Sequence, residues 1–383
     1  MLKMLQEGKK RIAVSDSSDE RNRRMREALH TALPGRRARI LVVDDSALTR
    51  RMITTALEEV PDFEVVGTAP NGRIALGKID HLDPDVVTLD IEMPDMDGLE
   101  TLKAIRARHH RARVIMFSTL TERGGKATLE ALSLGADDYA TKTSWEGAAG
   151  RTMPSLREEL VPKIRDLLRW DRSTAASAVA APAAPRPPRR LTRRALVVGI
   201  STGGPAALSE IVPHFPATFP APILIVQHMP AVFTRLLAER LRQVSQLEVK
   251  EAQEGDAVMA GRILIAPGDR HLRVRKMPGG KVVAALDHGP AENACRPAAD
   301  VLFRSAAEVW GGGVVAAILT GMGHDGLKGI QTLADLGAYV VAQDEASSVV
   351  WGMPGAVVSA GLAHSVVGLD GIVGEISKQF LRS

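Results

Sequence analysis

The sequence predicts two α/β domains, each built on a doubly wound parallel sheet and joined by a linker. Three observations carry this. Short apolar or β-branched runs alternate with helix-like stretches up to about residue 170, a segment of different composition interrupts them, and the alternation then resumes. Strand–helix alternation implies a parallel sheet covered on both faces. A length of 383 residues suits two domains, and a hydrophobic content of 45% is enough to give each a core.

In the first domain the expected strands are "ARILVVDD", "FEVVGTA", "DVVTLD", "RVIMFST" and "DYATK". Helical patterns such as "LTRRMITTALEE" and "GLETLKAIRARHH" lie between them. Residues 1–36 are charged and weakly patterned and read as a flexible extension, which leaves 37–170 for the domain itself. Residues 171–193 are Ala/Pro-rich and then basic. Proline favours extended backbone, so this segment reads as a semi-stiff exposed linker whose basic end is solvated. The second domain, 194–383, brings the strands "ALVVGIS", "APILIVQH", "GRILIAPG", "VVAAILTG" and "AYVVAQDE".

Composition removes several function classes. With 49 basic against 45 acidic residues, the charge is no nucleic-acid footprint. Aromatic residues at 3% are too few for base-stacking platforms. A single cysteine, Cys295, forms no intramolecular disulfide and fits a reducing compartment. The opening residues lack the apolar core of a signal peptide, and no apolar run approaches the ~20 residues of a membrane span. The expectation is a soluble cytoplasmic protein without a nucleic-acid partner and without direct membrane insertion.

Ligands of open parallel sheets bind beyond the carboxyl ends of the strands. In the first domain those ends carry Asp44 and Asp45, then Asp90, then Ser118 and Thr119, then Lys142. Converging carboxylates repel one another, and a hard divalent cation such as Mg²⁺ relieves that. An ionised Asp also serves as a nucleophile in aspartyl-phosphate chemistry. A lysine nearby neutralises an incoming phosphoryl group. "ILVVDDSALTRRM", "VVTLDIEMPDMDGLETL", "VIMFSTLTERGG" and "LGADDYATKTS" resemble the receiver domain of bacterial response regulators, a flavodoxin-like fold. The resemblance implies that Asp90 accepts a phosphoryl group from a sensor histidine kinase. It makes Asp44, Asp45, Asp90 and the backbone carbonyl of Glu92 the Mg²⁺ ligands, Ser118 the switch hydroxyl, Tyr139 the switch aromatic and Lys142 the phosphate partner. Thr143 stands where receivers usually have proline.

The second domain opens on "ALVVGISTGGPAAL". No lysine follows Gly203 and Gly204, so this is no P-loop, and Ser201 breaks the dinucleotide pattern. "GISTG" matches G-x-S-x-G, a strand–turn–helix elbow that exposes a serine; a tight turn capping the next helix gives the same letters. A serine nucleophile needs a base and an orienting acid. His228 in "APILIVQHMP" and Asp325 in "VVAAILTGMGHDG" each follow a buried-strand pattern, as Ser201 does. His324 and His271 are rival bases. The order Ser…His…Asp differs from that of the α/β-hydrolases.

Together, "GISTGGP", "IVQHMP", "APGDRH", "ILTGMGHDG" and "QDEASSVVWGMP" resemble the catalytic domain of the CheB family of chemotaxis protein-glutamate methylesterases. The resemblance implies Ser201 as nucleophile, His228 as general base and then acid, Asp325 as the orienting carboxylate, the Met322 backbone N–H as an oxyanion donor and Thr202 lining the site. It implies demethylation of glutamates, and deamidation of glutamines, on methylated chemoreceptors, with no cofactor for ester hydrolysis. It also implies an unphosphorylated receiver packed over the cleft. Alternatives are a phosphorylation-controlled adaptor without catalysis, or an esterase or amidase acting elsewhere. A DNA-binding regulator lacks its helix-turn-helix. Cys295, with His288 nearby in sequence, reads as a small residue at a helix start rather than as a reactive thiol.

Overall fold

The structure, a computed structural model, describes residues 36–108, 110–142, 153–168 and 191–381. The extension expected over 1–36 and the linker expected over 171–193 fall almost wholly outside these residues, as does Thr143.

The first domain runs β1 (Ala38–Val43), α1 (Ala47–Glu58), β2 (Phe63–Ala69), α2 (Gly72–Leu82), β3 (Val86–Asp90), α3 (Gly98–Ala107), β4 (Arg113–Ser118), α4 (Glu122–Ser133), β5 (Asp138–Thr141) and α5 (Met153–Leu168). The strands pair in parallel in the order β2-β1-β3-β4-β5. Each of the first four helices starts where a short polar side chain accepts an orphan N–H. Ser46, Asn71, Asp97 and Thr121 take the N–H groups of Thr49, Ile74, Glu100 and Gly124. At α3 the Glu100 carboxylate returns the bond, closing a capping box.

The second domain runs β6 (Ala195–Ile200), α6 (Gly204–Ile211), β7 (Ile223–Gln227), α7 (Ala231–Val244), β8 (Glu248–Glu251), β9 (Arg262–Ile265), β10 (His271–Lys276), β11 (Val282–Asp287), α8 (Ala299–Trp310), β12 (Val314–Ile318), α9 (Leu327–Asp335), β13 (Tyr339–Gln343), α10 (Met353–Ser359), β14 (Ser365–Val367) and α11 (Leu369–Leu381). Seven strands form one parallel sheet, ordered β14-β13-β12-β6-β7-β9-β8. Its inner strands β6, β7 and β12 are buried throughout, as expected of strands covered on both faces. An antiparallel hairpin, β10–β11, stands apart from the sheet. Arg193, expected as the end of the linker, is buried and donates to the carbonyls of Gly312 and Gly337, so the second domain's packing begins there.

Strand order reverses in each sheet, between β1 and β3 in the first and between β6 and β12 in the second. A crevice opens at such a switch point, and both clusters of reactive side chains stand at these two places.

The domains dock through α4 and β5 of the first and α7 of the second. The Tyr139 ring lies on Phe233 with centroids 4.9 Å apart. Glu122 pairs with Arg235 at 3.6 Å, and Arg240 donates to Ser133 Oγ at 2.8 Å. A Cβ placed on Gly125 would stand 2.6 Å from Leu236, with Val232 and Phe233 of α7 next nearest. On the other side of the cleft, Val350 joins the core cluster of the first domain that contains Phe117 and Leu160, with Met322 and Val349 packed against it. Among the described residues no helix is long and apolar enough to cross a membrane.

Candidate active site and receiver pocket

The chain leaves β6 at Ile200, and Ser201 follows at once. Ser201 N donates to Thr320 O at 3.0 Å, and His228 N donates to Ile200 O at 3.2 Å. The ends of β6, β7 and β12 are thereby stitched together, so the residues just beyond them share one rim. Gly203 turns the chain into α6 with φ of 78°, a conformation that glycine adopts without strain. Gly321 is packed so closely that a Cβ there would lie 2.8 Å from Ser201 Cβ. This brings the backbone after β12, and with it Met322, against the serine. The Met322 N–H donates to no backbone acceptor among the described residues.

Asp325 is buried at the N-terminus of α8 and collects four donors. His228 Nε2 lies 2.8 Å from Oδ2, and Asn293 Nδ2 lies 2.9 Å from Oδ1. The backbone N–H groups of Ala299 and Asp300 donate at 2.6 and 3.2 Å. Burial alone would raise the carboxyl's pKa. The bond to His228 and the other donors outweigh it and hold the pKa below the usual value. Two donors at the first turn of a helix also place this charge where the helix dipole favours it.

Burial works against a charged His228, but the hydrogen bonds to Asp325 and Cys295 outweigh it, and the pKa is lifted to about 9. Because Nε2 is taken by Asp325, only Nδ1 remains for a proton from Ser201. In this state Nδ1 stands 3.5 Å from Cys295 Sγ, and no hydrogen bond joins the His228 ring to Ser201 Oγ. Cys295 is half-buried in the turn before α8, as expected of a small residue near a helix start. Its imidazole neighbour, however, is His228, which sequence proximity to His288 did not suggest. The rival His271 is buried, bonded through Nε2 to Pro290 O and accepting Ala298 N at Nδ1.

In the first domain the carboxylates of Asp44, Asp45 and Asp90 offer oxygens that all lie within 4.8 Å of one another. Lys142 Nζ stands 3.0 Å from Asp44 and 2.8 Å from Asp90. Burial pushes the Asp90 carboxyl up to about 6, against the pull of Lys142. Asp90 Oδ1 accepts the Glu92 N–H at 3.4 Å. Ser118 is buried, and its hydroxyl bonds to the carbonyls of Thr119 and Gly124 instead of to this cluster. Tyr139 sits in the seam between the domains.

The seam closes over the serine. A cavity of about 40 Å³ remains beside Ser201, His228 and Thr202, walled on the other side by Asp138, Tyr139 and Lys163. A site needs about 10–15 Å³ of such space to hold one water, so the space is that of a few water molecules. Thr202 Oγ1 donates to Asp138 Oδ2 at 3.2 Å, and Lys163 Nζ holds the same oxygen at 2.9 Å.

Comparison with known proteins joins the two halves. Residues 196–376 match the CheB methylesterase family model, and residues 40–148 match the response regulator receiver domain. A protein-glutamate methylesterase/protein-glutamine glutaminase of Trichodesmium erythraeum is 45% identical over 89% of this chain and 98% of its own. The chain belongs to the CheB family. A second CheB relative bearing the same name, from a Nocardioides species, is 48% identical over 91% of this chain and 97% of its own. As a CheB-family chain it joins a receiver to a methylesterase fold, with an acidic receiver pocket at Asp44, Asp45 and Asp90.

Proposed function

We propose that the chain is a phosphorylation-activated protein-glutamate methylesterase and protein-glutamine glutaminase that demethylates chemoreceptors during sensory adaptation. The observation that carries this is His228, held by Asp325 at the sheet's switch point beside the Ser201 elbow. Ser201 Oγ attacks the γ-carbonyl of a methylated glutamate. His228 Nδ1 takes the serine proton and returns it to the leaving methoxide. The Met322 N–H steadies the oxyanion, a donor of a kind worth about 10²–10³ in rate. Water, activated by the same imidazole, then releases the glutamate carboxylate and restores Ser201. A glutamine side chain follows the same course, with ammonia leaving. Thr202 lines the pocket.

The imidazole must be neutral to act as base. A pKa of about 9 keeps it mostly protonated near neutral pH in the covered state, so ester cleavage should quicken as pH rises towards that value.

The receiver supplies the switch. Asp90 is the phosphoryl acceptor and a sensor histidine kinase the donor. The hard-oxygen donor set of Asp44, Asp45 and Asp90 fits Mg²⁺, with the Glu92 carbonyl as a further ligand. Mg²⁺ bound there would offset charge on the transferring phosphoryl group. A phosphoryl group on Asp90 competes with the carboxylates for Lys142 and draws Ser118 off Gly124, at the start of the helix that docks on α7. The seam at Tyr139 and Gly125 is the bistable element that phosphorylation biases.

The test is methanol release from methylated receptor membranes, with and without acetyl phosphate and Mg²⁺. The wild-type chain should respond with a several-fold rise, and Asp90→Asn should stay at the basal rate. An unresponsive wild type, or a responsive Asp90→Asn, would remove the switch from this account. Methanol release absent from every folded form would favour an adaptor. A second variant probes the seam. Gly125→Arg adds a side chain where even a Cβ would stand 2.6 Å from Leu236 of α7, and at a helical position it does not weaken α4. Basal methanol release without phosphodonor should rise several-fold; an unchanged rate would show that the seam does not restrain the enzyme.

A further inference from the structure

We infer that Asn293 is a positioning residue of the esterase site, its side-chain amide tying the triad carboxylate Asp325 to a second buried carboxylate, Asp300. The inference rests on the proposed role of Asp325.

Asn293 Nδ2 donates to Asp325 Oδ1 at 2.9 Å and to Asp300 Oδ2 at 3.0 Å. Both carboxylates are at most 2% exposed. Among the described residues Asp300 has one further donor, the Gly329 N–H at 2.6 Å. Two buried like charges this close repel each other, and a shared donor is the usual remedy. The NH₂ group of Asn293 spends its two protons on them.

The backbone is bent to bring it there. Asn293 has φ of 52° and Ala294 φ of 61°, left-handed values that asparagine tolerates and alanine resists. Glu292 and Cys295 exchange both backbone hydrogen bonds across this turn, at 3.1 and 2.8 Å. Arg304 of α8 clamps Glu292 at 2.6 Å. The same turn sets Cys295 Sγ against His228 Nδ1. One strained turn thus touches both the acid and the base of the triad. With Oδ1 pinned by Asn293, Oδ2 faces His228 Nε2, which fixes the imidazole with Nδ1 toward Cys295.

Asn293→Gly separates this role from the shape of the turn, because glycine keeps the left-handed backbone and removes the amide. In the full-length chain with acetyl phosphate and Mg²⁺, kcat for methanol release should fall about 10-fold to 100-fold, the scale of a small misplacement of catalytic groups. KM should stay within about twofold, since Asn293 does not meet the substrate. In an Asp300→Asn background, where the repulsion is gone, the same substitution should cost several-fold less. Asn293→Asp keeps shape and turn preference but turns a donor into a third carboxylate, and should be the worst of the set. Should Asn293→Gly not fold, Asn293→Asp alone decides. Wild-type kcat in whichever variant folds would overturn the inference, and so would equal losses with and without Asp300. Asp325→Asn, run beside them, keeps the two readings apart. If it is fully active, the triad itself fails; if it is dead while Asn293→Gly is unimpaired, only the positioning role fails.

Discussion

Ser201→Ala is expected to abolish methanol release from methylated receptors, in the presence of phosphodonor as in its absence. The serine follows the end of β6 and lines the small cavity that His228 also lines, while the Thr202 hydroxyl in the same cavity is spent on Asp138. Losing the nucleophile of such a set costs about a millionfold. Gly203, Gly321 and the bond from residue 201 N to Thr320 O shape the turn through the backbone, so alanine should leave it folded, with an unchanged unfolding midpoint. The same variant should still accept phosphate at Asp90 from acetyl phosphate. Residual turnover above about one part in a thousand would point to a different nucleophile.

Asp325→Asn carries the second largest effect, about 10⁴ in kcat by analogy with other triads. The amide retains one acceptor oxygen, but its NH₂ cannot accept the His228 Nε2–H. It also sets a donor among the Ala299 and Asp300 N–H groups and Asn293. The imidazole then loses the bond that most favours its charge, and its pKa falls from about 9. The sign for the pH profile follows. The base is active when neutral, so the acid limb of the residual activity should move to lower pH while the plateau collapses. A variant with normal kcat, or one whose acid limb moved upward, would remove Asp325 from this role.

Much of this was legible in the sequence because the signal is local. Buried parallel strands read as apolar runs, and the residues or loops just beyond them fall on one rim. "ALVVGIS" and "APILIVQH" place Ser201 and His228 directly beyond β6 and β7, "VVAAILTG" leads into the loop that carries Asp325, and "ARILVVDD" with "DVVTLD" leads to the acidic pocket. The hairpin β10–β11 was not anticipated, since its strands are half-exposed and carry charged side chains. The seam left no mark either. Gly125 and Leu236 meet across it as ordinary helix residues, and nothing local distinguishes a helix face docked on another domain from one docked on its own. Asn293 and Cys295 escaped for a related reason. Their importance lies in a turn with two left-handed residues, and "AENACRPAAD" holds no glycine to announce it. His271 failed as a rival base only because its two ring nitrogens are spent on Pro290 and Ala298.

The central claim is that phosphorylation at Asp90 makes a covered Ser201 available. The most direct measurement is the rate at which a serine-reactive fluorophosphonate labels Ser201 in the full-length chain, before and after acetyl phosphate and Mg²⁺, with Asp90→Asn alongside. Only about 40 Å³ is free beside Ser201 with the seam in place, so labelling should be slow at first. It should then quicken at least about tenfold on phosphorylation, equivalent to about 1.4 kcal/mol in the closed-to-open balance, and Asp90→Asn should stay slow. Equal labelling rates before and after phosphorylation of the wild-type chain would contradict the account.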